Sequence, residues 1–368
     1  NEKIESLSDG GYVVTWVSSS QDNNNEQWEK GVYAQRFDSN GNKAGEETLV
    51  NTYEIGQQDN QEVTSLNDGG YVITWTSWKQ EESLWADVYS QKFDSEGNKV
   101  GTETLVNTYT QGMQSGSLIT SLDDGSYVTC WQSSEQDGSE GGIYTQRFDV
   151  NGEKAGTETL VNTQTEHNEH GAEIIALSDG GYIVTWQSST AGVNGSDIYV
   201  QKFDSSGEKV GDETLVTYIL QSYPKSTSLS DGEYVISWST YGENGSEIGV
   251  YSQGFDSSGE KIGEKSLVNT TTEGYHFNHE ITSLENGNYV VTWGSNVIDG
   301  SSIGVIAQQF DVNGNKVGPE TLVNTYTQDT QNMPEITSLD DGGYVITWQS
   351  DYQDGSGVGV YAQIFYED

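Results

Sequence analysis

Short runs in which apolar and polar residues alternate recur along the whole chain, separated by turns rich in glycine and aspartate. One unit shows the order, with runs at residues 336–339 (I-T-S-L), 344–348 (Y-V-I-T-W) and 360–365 (V-Y-A-Q-I-F). In six units a fourth run follows, as in E-T-L-V-N-T at 320–325. Runs of β-branched and aromatic residues between tight turns predict β-strands rather than helices. Each unit is therefore expected to form four antiparallel strands, named a to d.

The unit repeats seven times, with one tryptophan in each copy of strand b. These tryptophans are spaced by 59, 56, 55, 52, 55 and 55 residues, and in each strand c a glutamine stands two residues before a phenylalanine. Four short strands in a repeat of about 55 residues are typical of a propeller blade. The sequence therefore predicts one all-β, seven-bladed β-propeller over residues 1–368, with units at about 1–52, 53–108, 109–163, 164–217, 218–270, 271–325 and 326–368.

The recurring tryptophan, glutamine and phenylalanine side chains are expected to pack blade against blade, because equivalent environments require equivalent residues. Strands a, b and c occur seven times but strand d occurs six times. The seventh blade is thus predicted to have three strands and an open edge at residues 358–366. Since an unpaired edge is a template for strand addition, this edge is a candidate for self-assembly or for pairing with another chain.

The charge balance is strongly acidic, with 15 Lys and Arg against 57 Asp and Glu and a formal net charge of -42. This charge disfavours contact with nucleic acid or anionic membranes, and no apolar run reaches the roughly 20 residues that span a bilayer. The single cysteine, Cys130, is expected to be a small buried residue. Because the chain begins inside a repeat without Met or a signal peptide, we expect a processed product or part of a longer protein.

The connections between strands b and c and between strands d and a vary in length, and variable loops on a rigid scaffold commonly carry binding sites. Aromatic residues that break the repeat are candidate ligand-binding residues in these loops: Trp28, Trp78, Trp85, Tyr241, Tyr275 and Tyr352. A sugar stacks its apolar face on such rings while neighbouring carboxylates and amides bind its hydroxyls. The alternative is that the rings anchor their own loops to the blade below.

Acidic loops make calcium a candidate cofactor, and three D-G-S loops supply candidate metal ligands: Asp137, Asp299 and Asp354. Aspartates that follow strand c, such as Asp149, also match the start of an oxygen-ligand loop. They lack its closing carboxylate, so a hairpin turn explains them as well. Two H-x-x-H pairs, His167 with His170 and His276 with His279, are expected to be solvated loop residues rather than zinc ligands.

Three phrases resemble repeats of very large bacterial surface and secreted proteins that are grouped with the RTX-type, calcium-dependent adhesins: D-G-G-Y-V-V-T-W at 9–16, G-V-Y-A-Q-R-F-D at 31–38 and G-x-K-x-G-x-E-x-L-V-N-T at 97–108. The resemblance covers essentially the whole chain. It implies export, a location outside the cell or on its surface, attachment to surfaces or matrix, and use of calcium. It assigns no site residue, and the RTX nonapeptide G-G-x-G-x-D is absent from the sequence.

No Ser-His-Asp set, raised carboxylate pair or phosphate-binding glycine loop is identifiable in the sequence. We therefore expect a non-enzymatic extracellular binding or adhesion module whose variable loops hold a glycan or a surface protein. The second hypothesis is a structural subunit of a surface layer, sheath or filament, joined through loop faces and the open edge. The third is a polysaccharide-cleaving enzyme, because so many carboxylates would place some pair at a glycosidase distance.

Overall fold

The computed structural model describes residues 2–19, 30–78, 80, 85–138, 140–189, 195–219, 223–240, 249–297, 302–339 and 342–366. The chain divides into two compact units. The first unit comprises Asn1–Ala176, Tyr182–Ala191 and Phe203–Glu208, and the second comprises Leu177–Gly181, Gly192–Lys202 and Lys209–Asp368. No helix among the described residues is long and apolar enough to cross a membrane.

The described residues form 27 strands in seven antiparallel sheets, numbered here in chain order. Sheets 1 to 3 contain β1 (Lys3–Ser6), β2 (Tyr12–Ser18), β3 (Gly31–Phe37) and β4 (Thr48–Leu49); β5 (Gln58–Ser65), β6 (Tyr71–Trp78), β7 (Ala86–Phe93) and β8 (Lys99–Leu105); and β9 (Gln114–Ser121), β10 (Tyr127–Ser133), β11 (Gly142–Phe148) and β12 (Lys154–Leu160).

Sheets 4 to 7 contain β13 (Asn168–Ala176), β14 (Tyr182–Ser189), β15 (Ser196–Phe203) and β16 (Lys209–Ile219); β17 (Lys225–Ser228), β18 (Tyr234–Thr240), β19 (Gly249–Phe255) and β20 (Lys261–Leu267); β21 (His276–Ser283), β22 (Tyr289–Ser295), β23 (Gly304–Phe310) and β24 (Lys316–Leu322); and β25 (Gln331–Ser338), β26 (Tyr344–Asp351) and β27 (Val358–Phe365). Six sheets of four strands and a last sheet of three strands, each paired in chain order, define a seven-bladed β-propeller. The fold class predicted from the repeat is confirmed.

Aromatic pairs fix strand b against strand c in every sheet. The first tyrosine of strand b stacks on the last phenylalanine of strand c, with ring centroids 4.7 to 5.0 Å apart. The repeat tryptophans of sheets 2 to 6 are fully buried. Since buried aromatic rings contribute large apolar areas to a core, these residues belong to the scaffold, as their periodicity predicts.

The repeated glutamine of strand c holds strand d in place. The Gln91 side-chain amide donates to the carbonyl oxygens of Lys92 and Val100, at 2.9 and 3.1 Å, across a register shift between β7 and β8. The asparagine of L-V-N-T forms hydrogen bonds at the other end of strand d. The Asn107 Oδ1 atom accepts a hydrogen bond from the Val88 amide at 2.8 Å, and its Nδ2 donates to the Tyr109 carbonyl at 3.0 Å.

Strand a is longer than the alternation of the sequence predicts. β25 begins at Gln331 rather than at residue 336, and β5, β9, β13 and β21 are extended in the same way. In each of these five strands a β-bulge interrupts the register. A bulge adds one residue to the strand and shifts the side-chain alternation, so the period of two that marks a strand is lost there.

Candidate functional site

A polar cavity of about 230 Å³ lies in the first unit, along strand a of sheets 1 to 4. Its lining comprises Lys3, Asn60, Gln61, Glu62, Gly116, Ser117, Leu118, Gln132, Gly171 and Ala172. Ligand pockets are typically about 300 to 1,000 Å³, so this cavity suits a small group such as one sugar ring. The lysine, amide, carboxylate and hydroxyl side chains of this lining can form hydrogen bonds with a ligand.

The β-bulges create much of this lining. The first bulge residue has a left-handed conformation in β5, β9 and β13, with φ of 52° at Asn60, 67° at Gly116 and 60° at Gly171. Asparagine and glycine are the residues that adopt this conformation at least cost. The bulges thus place residues from strand a of three consecutive sheets around the same cavity.

An ion pair joins strand a of the first two sheets at the cavity. The Lys3 Nζ atom of β1 lies 2.6 Å from the Glu62 Oε1 atom of β5. The Glu62 side chain is 24% exposed and the Lys3 side chain 42%, so both remain accessible from the cavity. The Glu62 carboxylate is thus bound by an ammonium group at the cavity.

Glu5 lies two residues beyond Lys3 in β1, so the two side chains are on the same face of the strand. The Glu5 Oε1 atom accepts hydrogen bonds from the Ser65 amide at 2.9 Å and from the Ser65 hydroxyl at 2.8 Å. Burial raises the pKa of Glu5, and the two hydrogen bonds from Ser65 oppose this increase. Glu5 is therefore a carboxyl group with a raised pKa, on the same strand face as the lysine that binds the Glu62 carboxylate.

The second unit contains the same ion pair without the second carboxyl group. Lys225 Nζ of β17 lies 2.6 Å from Glu280 Oε1 of β21. The residue equivalent to Glu5 is Thr227, whose hydroxyl oxygen accepts a hydrogen bond from the Ser283 amide at 2.9 Å. The remaining repeats have Thr64, Thr120, Ile175, Thr282 and Thr337 at this position. Glu5 thus departs from a position that is otherwise threonine or isoleucine.

One predicted ligand-binding residue adjoins the cavity strand β5. Trp78 ends β6, is partly buried, and its Nε1 atom donates to Asp59 Oδ1 at 3.4 Å. Asp59 immediately precedes Asn60 of the cavity lining. Burial raises the pKa of Asp59, while the hydrogen bond from Trp78 and the charge of Lys30 oppose the increase.

The other predicted aromatic residues are scattered. Trp85 is 51% exposed in the first unit, and Tyr275 and Tyr352 are exposed side chains of the second unit. Trp28 and Tyr241 lie outside the described residues. Lys3, Glu5 and Glu62 were not identified by sequence reasoning. The sequence feature that indicates this site is Glu5, a glutamate in the first copy of strand a where most other copies have threonine.

The predicted metal ligands do not form a recognisable metal centre. Asp137 is partly buried, and its Oδ2 atom accepts from Asn162 Nδ2 at 3.4 Å. Asp354 is exposed and accepts a hydrogen bond from the Ser356 amide at 3.0 Å, while Asp299 lies outside the described residues. Among the residues that the structure describes, no three His, Cys, Asp or Glu side chains come together to hold a metal ion. Calcium binding stays a prediction.

The aspartates that follow strand c act as turn residues. Asp149 Oδ1 accepts hydrogen bonds from the amides of Asn151 and Glu153, both at 2.9 Å. These bonds lower the pKa of Asp149, and hydrogen bonds in the turn likewise lower the pKa of the equivalent carboxyl groups: Asp38, Asp94, Asp204, Asp256 and Asp311. A carboxylate that accepts backbone amides stabilises the hairpin directly.

The expectation of solvated loop histidines is wrong for the second pair. His276 and His279 are buried residues of β21, and His170 belongs to β13. The extension of strand a through a β-bulge brings these residues into the sheet. By contrast, Cys130 is fully buried as predicted, and burial raises the pKa of its thiol.

The fold and its sheets place the chain in the class of seven-bladed β-propellers, and comparisons with known proteins agree with this class. No protein-family model matches the chain, and no curated protein matches it. A solved protein of unknown function from Dyadobacter fermentans is similar, with a TM-score of 0.51 and 11% identity over 99% of this chain and 93% of that one.

Similar solved structures also include glycoside hydrolases. An α-L-arabinofuranosidase of Fusarium graminearum matches with a TM-score of 0.48 and 12% identity, over 84% of this chain and 92% of that chain. The NanB sialidase of Streptococcus pneumoniae matches with a TM-score of 0.47 and 12% identity, over 94% of this chain and 64% of that chain. At such identity the likeness concerns the fold.

These matches correct the expectation of a non-enzymatic adhesion module, because the similar structures of known activity named here are enzymes that act on carbohydrates. The expectation that the chain is not an enzyme rests on the absence of a catalytic motif from its sequence. In a repeat protein, however, catalytic side chains from separate repeats leave no local motif. None of the comparisons connects the chain with calcium-dependent adhesins, with surface-protein partners or with self-assembly.

Proposed function

We propose that the protein cleaves a glycosidic bond at the cavity of the first unit. The two catalytic carboxyl groups would be Glu62, which lines the cavity, and Glu5, which lies two residues beyond the lining residue Lys3. The observation that carries the proposal is their contrasting environment. Glu62 is paired with an ammonium group, whereas Glu5 is partly buried and its pKa is raised. Glycoside hydrolysis uses two carboxyl groups in contrasting environments as its acid and its base or nucleophile.

The strand geometry places Glu5 near the Lys3–Glu62 ion pair. Lys3 and Glu5 are two residues apart in β1, so their Cα atoms are about 7 Å apart along the strand. The proposal requires the Glu5 carboxyl group to lie at a glycosidase spacing from the Glu62 carboxylate that Lys3 binds. Glycosidases place their carboxyl groups about 5 to 9.5 Å apart, the shorter spacing for retaining and the longer for inverting enzymes.

The proposed roles follow from these two environments. Protonated Glu5 would donate its proton to the glycosidic oxygen as the bond to the sugar breaks. The Glu62 carboxylate would stabilise the positive charge on the sugar ring, and either attack the anomeric carbon or take a proton from the attacking water. The amides of Asn60, Gln61 and Gln132 line the same cavity and are suited to bind sugar hydroxyls.

A polysaccharide substrate agrees with a protein that acts outside the cell, and we propose that location on this ground. The acidic surface, with its net charge of -42, favours neutral or cationic glycans over polyanionic ones. Release of reducing ends from a panel of neutral polysaccharides, including arabinan and xylan, tests the proposal.

The decisive variant in this assay is Glu5→Thr, which gives the first repeat the residue found at Thr227 and at four other repeats. Because threonine is the usual residue there, the fold should be retained. We expect kcat to fall by at least about 100-fold, since loss of a general acid removes about 10²- to 10⁴-fold of the rate. Failure of the wild-type protein to cleave any member of the panel, or full activity of Glu5→Thr, would overturn the proposal.

A further inference from the structure

The extended strand a of sheet 6 carries an aromatic residue that the other extended copies lack. Phe277 is the second residue of β21, and its side chain is partly exposed. The equivalent residues of the other four extended strands are polar: Asp59, Ser115, His170 and Asn332. Since the residues that pack blade against blade recur with the repeat, this departure indicates a role outside the scaffold.

A glycine on the neighbouring strand makes room for the Phe277 ring. Gly294 of β22 is the register partner of Phe277, and a Cβ atom there would lie 3.1 Å from Phe277 Cε2. The equivalent partners in the other sheets have side chains: Thr76, Gln132, Gln187 and Gln349. Because φ of Gly294 is not positive, its backbone conformation does not require glycine. The glycine is explained by the space that the ring occupies.

Two side-chain amides lie beside this ring. Asn278 Nδ2 donates to Asn332 Oδ1 at 3.1 Å, which joins the bulges of β21 and β25. The Asn332 Oδ1 atom would lie 3.2 Å from a Cβ atom on Gly294, so the amide and the Phe277 ring flank the same backbone position. An amide group has two donors and two acceptor sites, so each asparagine can bind a hydroxyl group in addition to this bond.

A second ring extends this surface. Tyr275 directly precedes β21, its amide donates to Asn296 Oδ1 at 2.8 Å, and its side chain is 55% exposed. Alternate residues of an extended chain share a face, so Tyr275 and Phe277 are on the same side. We name Tyr275, Phe277, Asn278 and Asn332 the β21 surface. None of these four residues is charged, although the net charge of the chain is -42.

We infer that the β21 surface binds a sugar residue of a neutral glycan, as a second glycan site besides the cavity of the first unit. The apolar face of the sugar would stack on the aromatic rings, while the amides of Asn278 and Asn332 would bind its hydroxyl groups. A neutral ligand fits because the surface has no charged side chain to pair with an ionised sugar. This inference does not depend on the proposed catalytic activity.

Isothermal titration calorimetry with arabinohexaose, xylohexaose and cellohexaose tests the inference on the full chain. Every sample carries Glu62→Gln to slow cleavage, and chromatography after each titration verifies that the oligosaccharide is intact. We expect at least one of the three to bind. Phe277→Ser, which gives β21 the residue of β9, should weaken this binding about tenfold because stacking is lost. Asn278→Gly retains the left-handed backbone at φ 49° and should weaken it about fivefold because one amide is lost.

A variant on the neighbouring strand and a matched control complete the test. Gly294→Gln gives β22 the residue of β10, β14 and β26, and should weaken binding about tenfold by displacing the Phe277 ring. Tyr366→Ser removes another aromatic ring of the second unit, 68% exposed, and should leave binding unchanged. Circular dichroism verifies the fold of each variant.

The inference is overturned if none of the three hexasaccharides binds, or if binding is insensitive to both Phe277→Ser and Gly294→Gln. A dimer of the chain alone that Phe277→Ser abolishes would make a second copy the occupant and would also overturn it. Binding that depends on Phe277 in a protein that cleaves no glycan would support the β21 surface and contradict only the proposed function.

Discussion

Replacing His279 by glutamine is expected to remove an acid-sensitive group from the interior of the second unit. His279 lies at the bulge of β21 and is 4% exposed. Burial lowers its pKa to about 4. The nearby Lys225 charge adds to this effect, and a hydrogen bond with the Ser237 backbone opposes it. The neutral imidazole is therefore strongly preferred in the folded protein.

The sign of the pH effect follows from comparing the two states. An unfolded histidine has a pKa of about 6.5, so below that pH the unfolded chain binds a proton that folded His279 does not take up. Stability is therefore lost as the pH falls from about 6.5 towards 4. For a pKa difference of about 2.5, the loss is about 2 kcal/mol at pH 5 and approaches about 3 kcal/mol near pH 4.

Urea unfolding at pH 7.5 and at pH 5, followed by tryptophan fluorescence, measures this difference. His279→Gln should show a decrease in unfolding free energy between the two pH values that is about 2 kcal/mol smaller than that of the wild type. Other titrating groups are common to both proteins and cancel in the comparison. Equal pH dependence of the two proteins would refute the assignment of a buried neutral His279.

Three further variants test the scaffold and the site. Asn107→Ala should lower the free energy of unfolding in urea by about 3 kcal/mol, because Asn107 forms hydrogen bonds with the Val88 amide, Asp87 and the Tyr109 carbonyl. Asn98→Ala, in an exposed turn, should lower it by less than about 1 kcal/mol, and an equal decrease in both variants would contradict the account. Phe93→Ala should lower the free energy of unfolding by about 4 kcal/mol, because Phe93 is fully buried. Phe365→Ala, in the more exposed seventh sheet, should lower it by clearly less in the same assay. Ser65→Ala removes a hydrogen bond that lowers the pKa of Glu5, so the alkaline limb of the activity profile should move to higher pH. Ser283→Ala should leave this limb in place, and an unmoved limb in Ser65→Ala would argue against Glu5 as the acid.

The sequence predicts the scaffold well because repetition exposes it. The tyrosine–phenylalanine stacks and the buried tryptophans recur with the repeat, so each copy supports the others. The extension of strand a is not predicted, because residues with left-handed backbone conformation interrupt the apolar–polar alternation there. These residues are Asn60, Gly116 and Gly171. The bulge residues form much of the cavity lining.

The candidate site could not be predicted because it depends on differences between repeats that come together only in the fold. Glu5 and Glu62 are 57 positions apart in the sequence, and Lys3 connects them only when β1 and β5 are neighbours. Departures in the loops, such as Trp85, are more visible in the sequence than one glutamate in place of threonine. The sequence pattern therefore favours the loops over strand a as the predicted site.

The two ion pairs of strand a allow the most direct test of the proposed activity. Lys3 with Glu62 and Lys225 with Glu280 have the same 2.6 Å separation, but only the first has Glu5 beside it. On a polysaccharide that the wild type cleaves, Glu62→Gln should lower kcat by at least about 1,000-fold while Glu280→Gln retains the wild-type value. If both substitutions lower kcat equally, or if neither lowers it, a catalytic role for Glu62 is contradicted.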